Sequence, residues 1–342
     1  MDKSDDTFLA GFQIGHAQDE EALTGCTVIL CAEGAVGGVD QRGGAPGTRQ
    51  TDALYPMHLV EKVHAVVLSG GSAFGLDAAS GAVRYLEQRN IGFDVRVARV
   101  PIVPSAILFD LGIGRADIRP DASMGYQACL NASPGMPTEG NVGAGTGATV
   151  GKILGISQAM KSGIGCARLE IGSGIVVGAI AAVNAFGDII NPDSGEIIAG
   201  ARAIQKTRRK SSPRARFADT LAVMKELVSG SSMGFSRREN TVIGVVVTNA
   251  QLNKEQVNKV AQMAHDGLAR TVRPAHTMLD GDTIFSLSLG EHKVDVNIIG
   301  AFAAEAFAEA ILRAVILAQP AGSLPSAASL NHGIRKVVLG GA

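Results

Sequence analysis

The chain of 342 residues has no tryptophan, and aromatic residues make up only 4 % of it. That argues against a surface on which bases stack, because such surfaces rely on aromatic faces. No excess of charge is present either: 31 Lys and Arg against 32 Asp and Glu leave a formal net charge of −1. A balanced chain is not drawn to nucleic acid or to an anionic membrane by its field. Cysteine is scarce, and Cys26, Cys31, Cys129 and Cys166 form no CxxC pair. Buried free thiols are expected, not a metal set or a disulfide framework. No two histidines stand at HxH or HxxxH spacing, so a zinc site is not indicated, and no metal or organic cofactor is expected. An α/β-hydrolase nucleophile elbow and the GK[ST] of a phosphate loop are also lacking. The first residues, MDKSDDTFLAGFQIG, are acidic and carry no apolar h-region. The longest apolar run, Ile171–Ile190, is interrupted by Gly174, Gly178, Asn184, Gly187 and Asp188 and is too polar to cross a bilayer. The expectation is a soluble, cytoplasmic protein.

What the chain has in excess is glycine, 43 residues, against about 7 % in typical proteins. With no Gly-X-Y period, this points to tight turns and close backbone approach. Short apolar runs at 26–31, 63–69 and 241–248 read as buried strands, and TIFSLSL at 283–289 alternates like a half-buried one. Residues 34–50, rich in glycine, read as a loop. Helices are expected from GGSAFG to about Arg89, over 121–131, near 217–229, from a capping-box start at Asn253 and Gln256, and over 301–318. Val257, Val260, Ala264 and Leu268 form the apolar stripe of the fourth. VVGAIAAVNAFGDII reads as a buried, hairpin-prone stretch. Such mixing of strands and helices points to a layered α+β (α/β) domain with no internal repeat. The segment 206–240 is polar, with six basic residues in KTRRKSSPRAR, and reads as a flexible linker.

Three segments carry chemistry on paper. GNVGAGTGATVG, at 140–151, only loosely resembles a dinucleotide fingerprint because the full GxGxxG spacing is missing; its backbone approaches something closely, either a substrate or another strand. At Asn240–Thr241 a polar segment meets a buried strand. A chain cut there exposes a Thr α-amino group of pKa about 8, able to act as general base for its own hydroxyl; the plain alternative is a turn followed by a strand. In HTMLDGDTIF, Asp280 and Asp282 flank Gly281. Two such carboxylates raise each other's pKa and can hold an ammonium or orient a hydroxyl, although on the residues alone an ordinary DG turn is the favoured reading. His265 borders the apolar helix stripe and reads as a packed structural residue.

Taken in order, TGCTVILCAEGAVGGVDQRGGAPGTR, LSGGSAFGLDAA, VPSAILFDL, GNVGAGTGATVGK, AAVNAFGDI, ENTVIGVVVTNA and HTMLDGDTIF resemble the L-aminopeptidase/D-esterase family of N-terminal-nucleophile hydrolases. Its relatives include β-peptidyl aminopeptidases, a nylon-oligomer hydrolase and a pantetheine-cleaving hydrolase. The resemblance implies a single domain over 1–342 built as a four-layer αββα sandwich. It implies self-cleavage at Asn240–Thr241 into an α-chain 1–240 and a β-chain 241–342, assembled as a homo-oligomer, a tetramer of αβ units. Matched residue by residue, it makes Thr241 the nucleophile, Asn184 the oxyanion donor and Lys152 a group that stabilises developing negative charge or depresses the Thr241 amine pKa. Asp280 and Asp282 would anchor the Thr241 amine and hydroxyl. Gly143, Gly145, Thr146, Ser72 and Phe109 would shape the substrate pocket. Members specific for β-peptides use Ser as nucleophile and a Ser-Gly-acid motif where this chain has Asp280-Gly281-Asp282. The function implied is cleavage of amide bonds in small peptides or amino-acid amides. The alternatives are hydrolysis of ω-amino-acid oligomers or pantetheine-like amides, acyl transfer of the ornithine acetyltransferase type, and an uncleaved, non-catalytic binding protein.

Overall fold

The runs read as strands converge on one nine-stranded sheet in a computed structural model, which describes residues 7–204, 216–229 and 240–330. The strands are β1 (Gln13–Asp19), β2 (Thr24–Gln41), β3 (Thr48–Arg49), β4 (Lys62–Ser69), β5 (Ser105–Ile107), β6 (Ile164–Glu170), β7 (Val176–Asn184), β8 (Thr241–Ala250) and β9 (Thr283–His292). Their order is β6-β7-β8-β9-β2-β4-β5-β3, with β1 paired to β2. Strand β8 lies inside the sheet, third from one edge, antiparallel to β7 and parallel to β9. The helices are α1 (Ala78–Glu87), α2 (Ala122–Leu130), α3 (Thr220–Val228), α4 (Lys254–Thr271) and α5 (Val296–Ile316).

The long strand β2 folds the sheet over on itself. Its first half pairs with β1 and β4, its second half with β9, and the register against β4 shifts between Leu30 and Ala35. Three apolar layers result. Val177, Val183, Val242 and Val246 pack against Val257, Phe307 and Ile311 of α4 and α5. Ile29, Leu68, Ile180, Ile243, Val245 and Phe285 fill the space between the two halves of the sheet. Val28, Leu30, Ala65 and Val67 meet Ala82 and Leu86 of α1 and Cys129 of α2. Alternate residues of β8 thus face two different cores, as a period of two requires. Helix, sheet, sheet, helix: the αββα sandwich expected from the resemblance is the architecture observed.

Several local expectations hold. Asn253 and Gln256 form a capping box, each side chain accepting the other's backbone N–H at 2.9 Å. Val257, Val260, Ala264 and Leu268 are fully buried, and all four cysteines are free and buried. VVGAIAAVNAFGDII is buried as expected but does not fold back on itself: Val176–Asn184 pairs with β6 and β8, and Asp188–Ile190 joins a separate small sheet. Among the described residues no helix is long and apolar enough to cross a membrane.

Others are corrected. Residues 34–41 are strand, not loop. The glycines there let α4 lie directly on β2; a Cβ on Gly38 would stand 2.6 Å from the Asn258 N. Strand β9 is buried on both faces over its first six residues, Ser286 included, because it is covered by a helix layer on one side and the second sheet half on the other. The last long helix starts five residues earlier than expected, at the Asp295 cap, and Phe302 sits on its open side at 39 % exposure. The basic stretch at 206–216 falls almost wholly outside the described residues, as do 230–239 of the expected linker; between them α3 is a regular helix capped by Asp219.

Candidate active site

Strand β8 delivers Thr241 to the interior. Thr241 is the first residue of β8, 2 % exposed, and stands opposite Asn184, the last residue of β7. On its other side the turn before β9 runs alongside as a short parallel extension. The Asn240 N–H donates to the Leu279 carbonyl at 2.8 Å, and the Gly281 N–H donates to the Asn240 carbonyl at 2.7 Å. The Thr241 hydroxyl also donates to that carbonyl. The Asn240–Thr241 peptide is therefore held extended, with two donors on its oxygen. Glycine is required at 281, since a Cβ would meet the Ala45 carbonyl at 2.7 Å and Thr241 Oγ1 at 2.9 Å.

Asn184 is held from three sides. Its Oδ1 accepts from Lys152 Nζ at 2.7 Å, from the Thr149 N–H at 3.0 Å and from the Thr149 hydroxyl at 3.3 Å. Lys152 Nζ donates also to the Asn184 carbonyl at 2.8 Å. These donors fix which end of the amide is oxygen, so Nδ2 faces away and donates to the Phe109 carbonyl at 2.8 Å. An ammonium on Oδ1 polarises the amide and strengthens its N–H groups as donors. A pocket lined by Phe109, Asp110, Gly112, Ile113, Thr149, Lys152 and Ile156 opens beside this cluster.

The acid pair is brought in as expected, but its partners are different. Asp282 Oδ1 accepts the Val242 N–H at 2.8 Å, one residue beyond the nucleophile. Asp282 Oδ2 accepts the His276 N–H at 3.1 Å and lies 2.8 Å from His276 Nδ1, which donates to it. Asp280 Oδ2 accepts the Thr277 N–H at 2.8 Å and its hydroxyl at 2.6 Å. Burial, followed by the Asp282 charge, raises the Asp280 carboxyl to about 6. In the continuous chain the pair braces the turn and strand around Thr241, where the resemblance has it gripping the threonine itself.

The glycine-rich segment turns its polar groups inward. Gly143–Gly145 is a buried turn, the Thr146 hydroxyl turns back to the Gly143 carbonyl at 2.7 Å, and none of Gly143, Gly145 and Thr146 lines the pocket above. What the loop approaches is the ammonium of Lys161, which is fully buried and donates to the carbonyls of Gly145 at 3.1 Å, Ala148 at 2.9 Å and Ser162. Desolvation lowers the Lys161 pKa to about 7, against the pull of Asp110. Ser72, half-buried with φ of 54°, starts the turn before α1, and its N–H donates to the Leu108 carbonyl at 3.0 Å. Phe109 does line the pocket.

Sequence reasoning missed the Gly281 N–H, Thr149, Lys161 and His276. A main-chain donor and a lone buried lysine leave no residue-level signal. His276 does, since it opens the HTMLDGD segment.

Comparison with known proteins places the chain. A model of peptidase family S58 matches residues 7–325. The chain belongs to peptidase family S58. Curated relatives agree with this assignment. An uncharacterized aminopeptidase of Mycobacterium tuberculosis (strain ATCC 25618 / H37Rv) is 40 % identical, over 94 % of this chain and 96 % of the relative. A 6-aminohexanoate-oligomer endohydrolase of Kocuria sp. (strain KY2) is 30 % identical, over 89 % and 84 %. Among solved structures, an L-aminopeptidase D-Ala-esterase/amidase from Ochrobactrum anthropi superposes with a TM-score of 0.69 at 18 % identity, covering 98 % of this chain and 93 % of that one. That structure is described as a variant of the Ntn hydrolase fold, and the present chain has the same fold.

Proposed function

We propose that this S58 chain cuts itself at Asn240–Thr241 and then hydrolyses amide bonds of small peptides or amino-acid amides with Thr241 as N-terminal nucleophile. One observation carries the reading: the Asn240 carbonyl is clamped by the Gly281 N–H and faced by the Thr241 hydroxyl, at the buried head of β8. In self-cleavage Thr241 Oγ1 attacks the Asn240 carbonyl carbon, and charge develops on an oxygen that already accepts the Gly281 N–H. The C–N bond breaks, the hydroxyl proton ends on the departing α-amine, and an ester remains. Water then releases the Asn240 carboxylate and restores the hydroxyl.

In turnover the free Thr241 amine takes the hydroxyl proton as Oγ1 attacks the substrate carbonyl. Asn184 spends one N–H on Phe109 and retains a second for the oxyanion, with Lys152 polarising the amide from behind. The acyl group passes to Thr241, the amine leaves, and water frees the acid. The aminopeptidase names of the 37–40 % relatives support substrates with a free amino terminus. The endohydrolase relatives support a second reading, cleavage within ω-amino-acid oligomers. Assembly as a homo-oligomer of αβ units and a cytoplasmic setting complete the proposal. Mass measurement under denaturing conditions tests it: two fragments are expected, the smaller beginning at Thr241, with hydrolysis of aminoacyl anilides. A single intact, inactive chain would overturn the reading in favour of a binding protein, and release of acyl-amine product from an added amine would indicate a transferase.

A further inference from the structure

Behind the acid pair lies a row of side chains that the reaction above does not use. Asp282 Oδ2 holds His276 through both its N–H and its Nδ1–H. The His276 ring stands edge-on to that of His265, with centroids 4.8 Å apart. His265 is 1 % exposed and donates from Nε2 to the Asp40 carbonyl at 3.0 Å. Asp40 in turn pairs with Arg42, whose N–H donates to the Asp282 carbonyl at 3.0 Å. Burial lowers His265 to about 4, so it stands as a neutral wall beside the His276 ring.

His276 is also strained. Its φ is 57°, in the left-handed region that side chains other than glycine seldom adopt. A turn needing only that conformation would be served best by glycine, so what is retained at the cost of strain is the imidazole. We propose that His276 is a positioning residue for the nucleophile: it donates to Asp282 and, wedged against His265, aims the other carboxylate oxygen at the Val242 N–H, holding the head of β8 where Thr241 must attack. No proton leaves His276 in this role. The inference rests on the nucleophile assignment of Thr241.

Two substitutions separate the donor from the strain. Glycine and asparagine both tolerate the left-handed conformation, but only asparagine retains an N–H near the place of Nδ1. In His276→Gly, self-cleavage is expected to slow and kcat to fall about 10–100-fold with KM changed less than about threefold, the range typical of residues that orient a catalytic group. His276→Asn is expected to recover most of both rates. Melting curves should show His276→Gly less stable than His276→Asn, since relief of strain is set against the donor lost by the buried Asp282; rates are therefore compared per folded molecule. A His276→Gly protein with parental rates would overturn the proposal, as would equal impairment of the Gly and Asn variants. In either case a parent chain that is cut and active keeps the Thr241 reading intact. A parent chain that is neither cut nor active removes that reading, and this inference with it.

Discussion

The turn at 276–282 and the loop at 140–148 are both glycine-bearing and both part of the resemblance, yet they direct their polar groups differently. The first surrounds the Asn240–Thr241 bond with directed polar groups: the Gly281 N–H on the carbonyl, Asp282 on Val242, His276 behind Asp282. The second folds its carbonyls around one ammonium, Lys161, and keeps its hydroxyl for itself. Close backbone approach is common to both. What separates them is whether the polar groups converge on one peptide bond, Asn240–Thr241, or satisfy one another. A glycine-rich run therefore signals crowding, and chemistry has to be read from the donors around it.

Substitutions can break or sharpen this contrast. The largest effect is expected at the reacting end. Thr241→Ala should give one uncut chain with no measurable amidase activity; mass spectrometry and an anilide assay check it, and a cut, active variant would remove Thr241 from the role. Next is Asn184→Ala, expected to lower turnover about 10²–10³-fold with the fold intact, as for loss of one oxyanion donor; steady-state kinetics with circular dichroism decide it.

In the second region, Lys161→Met should cost stability and leave the rate per folded molecule near that of the parent. Three buried carbonyls would lose their donor, which costs about 1–3 kcal/mol, partly offset by relief of the burial that lowers the Lys161 pKa to about 7; urea unfolding reads the net loss. A stable but inactive Lys161→Met protein would move the loop into the catalytic machinery.

The smallest effect has the opposite sign. Asp280 holds its proton to about 6 when folded and to about 3.9 when unfolded. The folded chain therefore binds more protons between those values, and this group's contribution to stability falls as pH rises from about 4 to about 6. Asp280→Asn should thus be more stable than the parent above pH 6, by up to about 3 kcal/mol, with the gap closing below pH 4, while activity falls. Thermal melts across that range test it; a variant less stable at neutral pH would show that the carboxylate braces the turn more than its burial costs.

Much of the fold was legible along the chain because it is written in local patterns. The β-branched run at 241–248, the capping box at Asn253 and the stripe from Val257 to Leu268 each depend on near neighbours only. The misjudged pieces depend on distant ones. Residues 34–41 look like loop until α4, more than 200 positions away, lies across them and needs their missing side chains. The serines of β9 look solvent-facing until the helix layer covers their face, which they share with Ile284. At the site, Thr241, Asn184, Lys152, Asp280 and Asp282 stood out through the family resemblance. Their partners did not, because a main-chain N–H such as that of Gly281, or the His276–His265 contact, leaves no mark in a string of letters.

By itself the sequence determined the elements, the absence of a metal-binding or CxxC signature, and the bond between a polar segment and a buried strand at Asn240–Thr241. Only the tertiary structure decided which groups surround that bond. Strands β7, β8 and β9 come from three separate parts of the chain, and their register alone puts Asn184 on one side of Thr241 and the Gly281 N–H on the other. Register is a property of paired strands in a common core, and hydrogen-bond donors gain directed strength only once that core has excluded water.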